Sequence, residues 1–432
     1  MNRTPDNIID RVVRQFDGEE LILLESQHPD HHSSKISYIA AGPVSTIYGY
    51  GEKISVKDRN GIRQFKSDPW DALIDFQKEK NSWLFGYLGY DLKNYTEKLT
   101  SSNEPLNRAP DFYFMEPEVL LRIENGEITV LSGDPNLNLI DQREEKPGWV
   151  EEFGPAISKD LYLENVNAIK ERITEGDFYE LNFSYPMQGA YYGDPYWLYK
   201  RMREVNPVPF GSFIRLNDLA VCCASPERFL KKEGARVISE PIKGTSPRSK
   251  LPAEDIEQRE ILLNEKNRAE NLMIVDLVRH DLSRVSITGS VRVTKLFDIQ
   301  TFGTVHQLIS TVEAEAAPDL SSIEIIKACF PMGSMTGAPK INVMRVIEEL
   351  EEYKRGIYSG AIGYITPDND FDFNVVIRSA VIQDGKLTYP VGGAITSDSI
   401  PLEEWEETGV KCRAITGVFE NMGMQRNEVD SK

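Results

Sequence analysis

The sequence predicts an α+β fold, and three observations predict it. Successive strand-like segments are joined by short polar turns, which favours antiparallel pairing. Strands come in groups followed by helical blocks, which argues against a doubly wound parallel sheet. Neither a Walker loop nor a Gly-x-Gly-x-x-Gly turn occurs, so a nucleotide-binding core is not indicated.

Along the chain, the segments 119–123 and 128–131 flank Glu124-Asn125-Gly126 and read as a hairpin. The polar run from Asp134 to Gly148 is the most linker-like stretch, which puts a subdomain boundary near residue 150, dividing 1–150 from 151–432. Beyond it, Tyr162, Val166, Ile169 and Ile173 recur at the spacing of one helix face, and Gly176 supplies a stop. Strand pairs are expected around Asn217-Asp218 and Glu233-Gly234, then one long helical block from about Pro252 to Arg284. Residues 358–394 read as three strands with turns at 367–370 and 384–385. A last helix starts at Pro401, a residue suited to the first helical position.

Composition narrows the function. The chain has 432 residues, more than one small core normally uses, with 68 acidic against 49 basic side chains and a formal charge of −19. Such a field repels nucleic acid and anionic membrane, and obliges any anionic substrate to find a local cationic pocket. No apolar run reaches membrane-spanning length, and the first residues lack the apolar stretch of a secretion signal. Four cysteines without paired spacing suggest neither a disulfide framework nor a zinc site, so a reducing cytoplasm is the expected compartment. His28, His31 and His32 read as a polar loop, not a metal site.

Several residues stand out as chemistry. On the last helix, Glu404, Glu407 and Lys411 fall within roughly a 60° arc beside the apolar face of Trp405, Cys412, Ile415 and Phe419. The structural alternative is an i,i+4 Glu407–Lys411 pair on a solvated face. The segment from Glu270 to Val278 is apolar nearly all round and reads as a buried helix, so Glu270 must be salt-bridged, protonated or bound to metal. Glu270 and Glu407 together suit Mg²⁺, which typically takes one or two carboxylates. Lys243, just after a predicted strand and before Gly244, is either solvated or a nucleophile with a lowered pKa. His306 alone reads more readily as a satisfied core histidine.

In order, these fragments resemble the chorismate-binding family, which includes anthranilate synthase component I, aminodeoxychorismate synthase component I, isochorismate synthase and salicylate synthase. The resemblance rests on Ser225-Pro226-Glu227-Arg228-Phe229, Pro241-Ile242-Lys243-Gly244-Thr245, Glu270 through Leu277, Thr304-Val305-His306, Pro331-Met332-Gly333-Ser334 to Pro339-Lys340, Tyr358 through Gly363, and Glu406-Glu407-Thr408. It spans about residues 160–420, with looser matches at 23–26 and 85–91. It implies an anthranilate synthase component I-like fold, with two packed, largely antiparallel sheets flanked by helices and a cleft for the active site.

Lysine at position 243 is similar to the aminodeoxychorismate branch, whereas the anthranilate and isochorismate branches usually carry alanine there. The resemblance implies amination of chorismate by ammonia to 4-amino-4-deoxychorismate, in para-aminobenzoate and folate biosynthesis, through a covalent Lys243 intermediate. It further implies Glu227 as general acid, and Mg²⁺ held by Glu270 and Glu407 with Glu404 behind them. Arg378, Tyr358, Lys411 and the backbone at Gly392 and Gly393 would hold the enolpyruvyl carboxylate. Gly244, Thr245 and His306 would position the ring. No Gly-x-Cys-x-Gly nucleophile segment is present, so ammonia is expected from a glutamine amidotransferase partner. Two positions depart from the family pattern: Glu180 stands where amination branches usually have glutamine, and Ala394 where many members have glycine. Competing readings are an anthranilate synthase component I and an inactive chorismate-binding regulatory subunit.

Overall fold

The computed structural model describes residues 8–27, 35–137, 146–302 and 305–420. His28, His31, His32 and Thr304, and part of the expected linker, lie outside them. Among the described residues the strand ladders are antiparallel, and the one parallel contact is an isolated bridge between Pro105 and Lys354.

Two long strands, Ile36–Tyr50 and Phe112–Glu124, pair along most of their length and organise the rest. At one end the first of them takes up Leu21–Glu25, which leads through Phe210–Leu216, Leu219–Ser225, Ser379–Gln383 and Lys386–Ile395 to Glu180–Tyr192. At the other end, Phe112–Glu124 takes up Leu84–Leu88, which leads through Ala361–Ile365, Phe371–Asn374, Arg228–Glu233 and Arg236–Glu240 to Val305–Glu315. The two expected sheets are therefore arms of one continuous 21-stranded network.

Alternation along the strands shows how the arms pack. Successive side chains point to opposite faces. Ile22, Val221 and Cys223 of the first arm meet Phe85, Tyr87 and Ile362 of the second in one apolar layer between them. The intervening Leu21, Leu23, Ala220 and Cys222 face outward onto the helices Ile8–Gln15, Lys159–Glu175, Pro195–Val205 and Pro401–Glu420. Leu84 and Leu88 face the opposite way, onto Pro69–Lys80, Glu265–Ser283 and Ser322–Cys329. Strands buried on both faces suit this three-layer core. No helix among the described residues is long and apolar enough to cross a membrane.

The local expectations mostly match. The hairpin at Asn125-Gly126 has both turn residues at positive φ, 52° and 81°, as a tight two-residue turn demands. Gly176 closes its helix at φ 88°. Three expectations need correction. The helical block is two helices, Pro252–Ile261 and Glu265–Ser283, because the Asn264 side chain caps the second by accepting from the Asn267 amide at 2.8 Å. That second helix is not buried all round: Leu272 is 52% exposed while Ile274, Val275 and Val278 pack inward. Residues 358–394 hold four strands, because the chain passes from one arm to the other at 375–378. As for the boundary near residue 150, strands before it pair with strands after it, Leu21–Glu25 with Phe210–Leu216 and Leu84–Leu88 with Ala361–Ile365.

Candidate active site

Two of the chain's crossings between the arms lie side by side. Ser225–Arg228 runs from the first arm to the second, and Val375–Arg378 returns. Strand pairing stops at a crossing, so the backbone there needs other partners. The Ser225 hydroxyl donates to the Val375 carbonyl at 2.5 Å, the Val375 amide to the Glu227 carbonyl at 3.0 Å, and the Ala224 amide to the Arg378 carbonyl at 3.1 Å. Glu227 is thus held by the Val375 amide and Arg378 by the Ala224 amide, which keeps the two crossings in register.

Glu227 is buried, and burial pushes its carboxyl up to about 7. The Ser334 hydroxyl, Lys243, the Ile242 amide and Arg378 pull the other way. The carboxyl therefore holds a proton through much of the neutral range, as a general acid requires. Arg378 sits at φ 51°, strained for a non-glycine residue. Burial draws its guanidinium down, against Tyr389 and Glu227, and no ion pair takes it among the described residues. A half-buried guanidinium with no ion pair among the described residues suits a carboxylate ligand.

Lys243 points inward. It is 8% exposed, and its Nζ lies 2.6 Å from Glu180 Oε1. Burial works to lower its pKa, but the carboxylates of Glu180, Glu270 and Glu227 outweigh burial and hold it above the ordinary lysine value. The lowered value that a free nucleophile needs is not what the resting site supplies. Strand irregularity explains the orientation: Gly244 at φ +88° shifts the register between Ile242 and Thr245. The same bulge leaves Thr245 exposed. His306 is fully buried, and its ring nitrogens lie 2.9 Å from Thr301 Oγ1 and 2.9 Å from Asp255 Oδ1. The structure thus engages His306 in tying down the helix Pro252–Ile261.

A group of acids closes the other side. Glu270 makes no ion pair among the described residues, and burial, Glu180 and Glu404 raise its carboxyl against Lys243 and Lys266. Glu404 is buried on the last helix, where it accepts from the Ser399 hydroxyl at 2.7 Å, and it too is raised by burial. Glu407 is half-exposed, and Lys411, 2.7 Å away, holds it below the usual carboxylate range. The structural alternative for that pair is therefore present. Lys411 also donates to the Gly392 carbonyl at 2.8 Å, fastening the helix to the strand Lys386–Ile395. A Cβ on Gly392 would lie 2.3 Å from the Phe183 carbonyl oxygen, so Gly392 is required by strand packing. A Cβ on Gly393 would instead face Glu404 Oε2 and Lys411 Nζ at 3.4 Å. Tyr358 is buried, its phenol pushed up to about 12 by burial. Beneath it Arg355 grips Glu351 at 2.6 and 2.7 Å and also donates to the Asn182 and Met335 carbonyls.

No set of three or more acidic, histidine or cysteine ligands converges on one point among the described residues. Glu270 alone could still serve as a Mg²⁺ ligand. Glu270 is a partly buried carboxylate without a counter-charge of its own, and Mg²⁺ needs only one or two such ligands, filling the rest with water and substrate oxygens.

Comparison with known proteins follows the same lines. The family described as chorismate binding enzyme matches residues 19–417. The chain belongs to this family. Aminodeoxychorismate synthase component 1 of Bacillus subtilis is 31% identical over 92% of this chorismate-binding chain and 91% of its own length. A protein of Oryza sativa named probable aminodeoxychorismate synthase, chloroplastic, is 30% identical over 97% of the chain, which spans only 55% of that relative. In structure the family member is similar to anthranilate synthase component I from Streptococcus pneumoniae, with TM-score 0.78 and 27% identity over 90% of this chain and 93% of that one.

Two contributors to this candidate site had no role assigned from the sequence. Ser334 was visible only as part of a motif, and its hydroxyl favours the charged form of the Glu227 carboxyl. Glu180 was visible only as a departure from the family pattern, and it is the hydrogen-bond partner of Lys243.

Proposed function

We propose that this chain aminates chorismate with ammonia to 4-amino-4-deoxychorismate, on the way to para-aminobenzoate and folate. One observation carries the reading: a lysine at position 243, where other branches carry alanine, is buried and faces the acids of the site. In this reading the Lys243 amine bonds to C2 of chorismate while the C4 hydroxyl leaves as water, taking a proton from Glu227. Ammonia then bonds to C4, the double bonds shift back and lysine leaves C2. The enolpyruvyl group stays on the ring. Arg378 binds a substrate carboxylate, and Gly393 leaves room beside Glu404 and Lys411.

Glu270 and Glu407 would hold Mg²⁺, with Glu404 orienting them from behind. When bound, the ion neutralises substrate carboxylate charge. The name component 1 borne by a relative supports a partner subunit, and the chemistry calls for a glutamine amidotransferase as ammonia source. The test is to incubate the chain with chorismate, Mg²⁺ and an ammonium salt, and to separate the products. Aminodeoxychorismate without pyruvate is expected. Fluorescent anthranilate with released pyruvate would instead support the anthranilate synthase reading, which the similarity to the Streptococcus pneumoniae structure keeps in view.

A further inference from the structure

An ammonium has no lone pair, so a lysine nucleophile needs somewhere to put a proton. At the ordinary lysine pKa, on the order of one amine in a few thousand is neutral at pH 7, and the acids around Lys243 make that fraction smaller. We propose that Glu180 is the base that takes the Lys243 proton and returns it when the adduct breaks. This rests on the covalent reading above and deepens it.

Three acids face Lys243 from three elements: Glu180 from the strand Glu180–Tyr192, Glu227 from the inter-arm crossing and Glu270 from the helix Glu265–Ser283. Only Glu180 lies at hydrogen-bond distance, 2.6 Å. Glu227 must keep its proton for the departing hydroxyl, and Glu270 would serve as a Mg²⁺ ligand in the reading above. Glu180 is 1% exposed, and its second oxygen, Oε2, is buried with no hydrogen-bond partner. Its only hydrogen-bond donor among the described residues is therefore the reacting nitrogen. Its backbone is fixed on one side by Gly337 and Ala338, where a Cβ on Gly337 would lie 2.0 Å from the Glu180 carbonyl oxygen. On the other side its neighbours Leu181 and Asn182 pair with Ile395 and Ala394.

Lys243–NH₃⁺ gives one proton to the Glu180 carboxylate, leaving a neutral amine and a neutral acid. The amine lone pair forms the bond to C2, the ring double bonds shift, and the C4–O bond breaks with a proton from Glu227, releasing water. Ammonia bonds to C4 and the C2–N electron pair returns to lysine as a neutral amine. Glu180 then hands its proton back, and solvent reprotonates Glu227.

Glu180→Gln keeps the size and removes the base. Chorismate is mixed with native and variant protein without ammonia, quenched over time, and scored by intact mass for a gain of chorismate less one water, with binding measured separately by calorimetry. The variant is expected to bind chorismate like the native protein but to form the adduct about a hundredfold more slowly at neutral pH, recovering as pH rises. Adduct formation at the native rate or faster overturns the proposal, because it would mean that Glu180 only masks the amine. Absence of adduct in the native protein overturns the covalent reading and this inference together, a distinguishable failure. If the Gln variant does not bind chorismate, Glu180→Asp decides: normal binding with slower adduct formation supports the base role, and an unchanged rate rejects it.

Discussion

Replacing Glu227 by glutamine should make the protein more stable at alkaline pH while removing most of its activity. Burial raises the Glu227 carboxyl from an ordinary 4.5 to about 7, so the folded protein holds this proton more tightly than the unfolded chain does. Its contribution to stability is therefore complete below 4.5 and is lost as pH rises through about 7. That displacement corresponds to about 3 kcal/mol, and the side chain is too buried for solvent screening to reduce it much. Glutamine keeps the shape and never ionises. Denaturant midpoints should thus coincide near pH 4.5 and favour the variant near pH 8.5 by up to about 3 kcal/mol. Amination should fall by about 10²–10⁴-fold for loss of the acid. In the native protein, kcat/KM normalised to free ammonia should decline on the alkaline side of about 7, where Glu227 gives up its proton. Full turnover in the variant, or stability differences that do not change with pH, would refute the reasoning.

Other perturbations separate structure from chemistry. Lys243→Ala should fold and bind chorismate yet lose aminodeoxychorismate formation, unless a small external amine is supplied; unchanged product release measured by chromatography would end the covalent reading. Gly392→Ala should lower the melting temperature, because its Cβ would sit 2.3 Å from the Phe183 carbonyl oxygen, whereas Gly393→Ala should leave melting intact and raise the KM for chorismate. Arg355→Ala should destabilise by about 3–5 kcal/mol in urea titrations, since it leaves the buried Glu351 unpaired. Glu270→Gln should raise the Mg²⁺ concentration needed for half-maximal turnover, and an unaltered Mg²⁺ dependence would remove Glu270 from the metal site.

Much of the fold was readable because local signals act locally. A turn at Asn125-Gly126 or a stop at Gly176 needs only backbone sterics, and both form where expected. The failures involve long-range pairing. Val375–Arg378 contains no turn residue, so nothing in the sequence marks the point where the chain changes arms. The Glu270 helix carries Leu272 at its surface, so an apolar count alone overstated its burial. Leu21–Glu25 and Leu84–Leu88 find their partners about two to three hundred residues away, which no boundary drawn from linker composition anticipates.

The site follows from the same topology. A strand that changes arms must abandon its ladder, and the freed backbone groups of Ser225–Arg228 and Val375–Arg378 satisfy one another. Their side chains, Glu227 and Arg378, are left in the gap between the arms, desolvated and in a fixed relation. Desolvation alone would push every ionisable group there towards neutrality. It does so for Glu227 and draws Arg378 down, but it fails for Lys243, because the carboxylates of Glu180, 2.6 Å away, and of Glu270 and Glu227 outweigh it. An acid on a strand of the other arm, together with Glu270 and Glu227, therefore sets the resting charge of the lysine on which the proposed reaction turns.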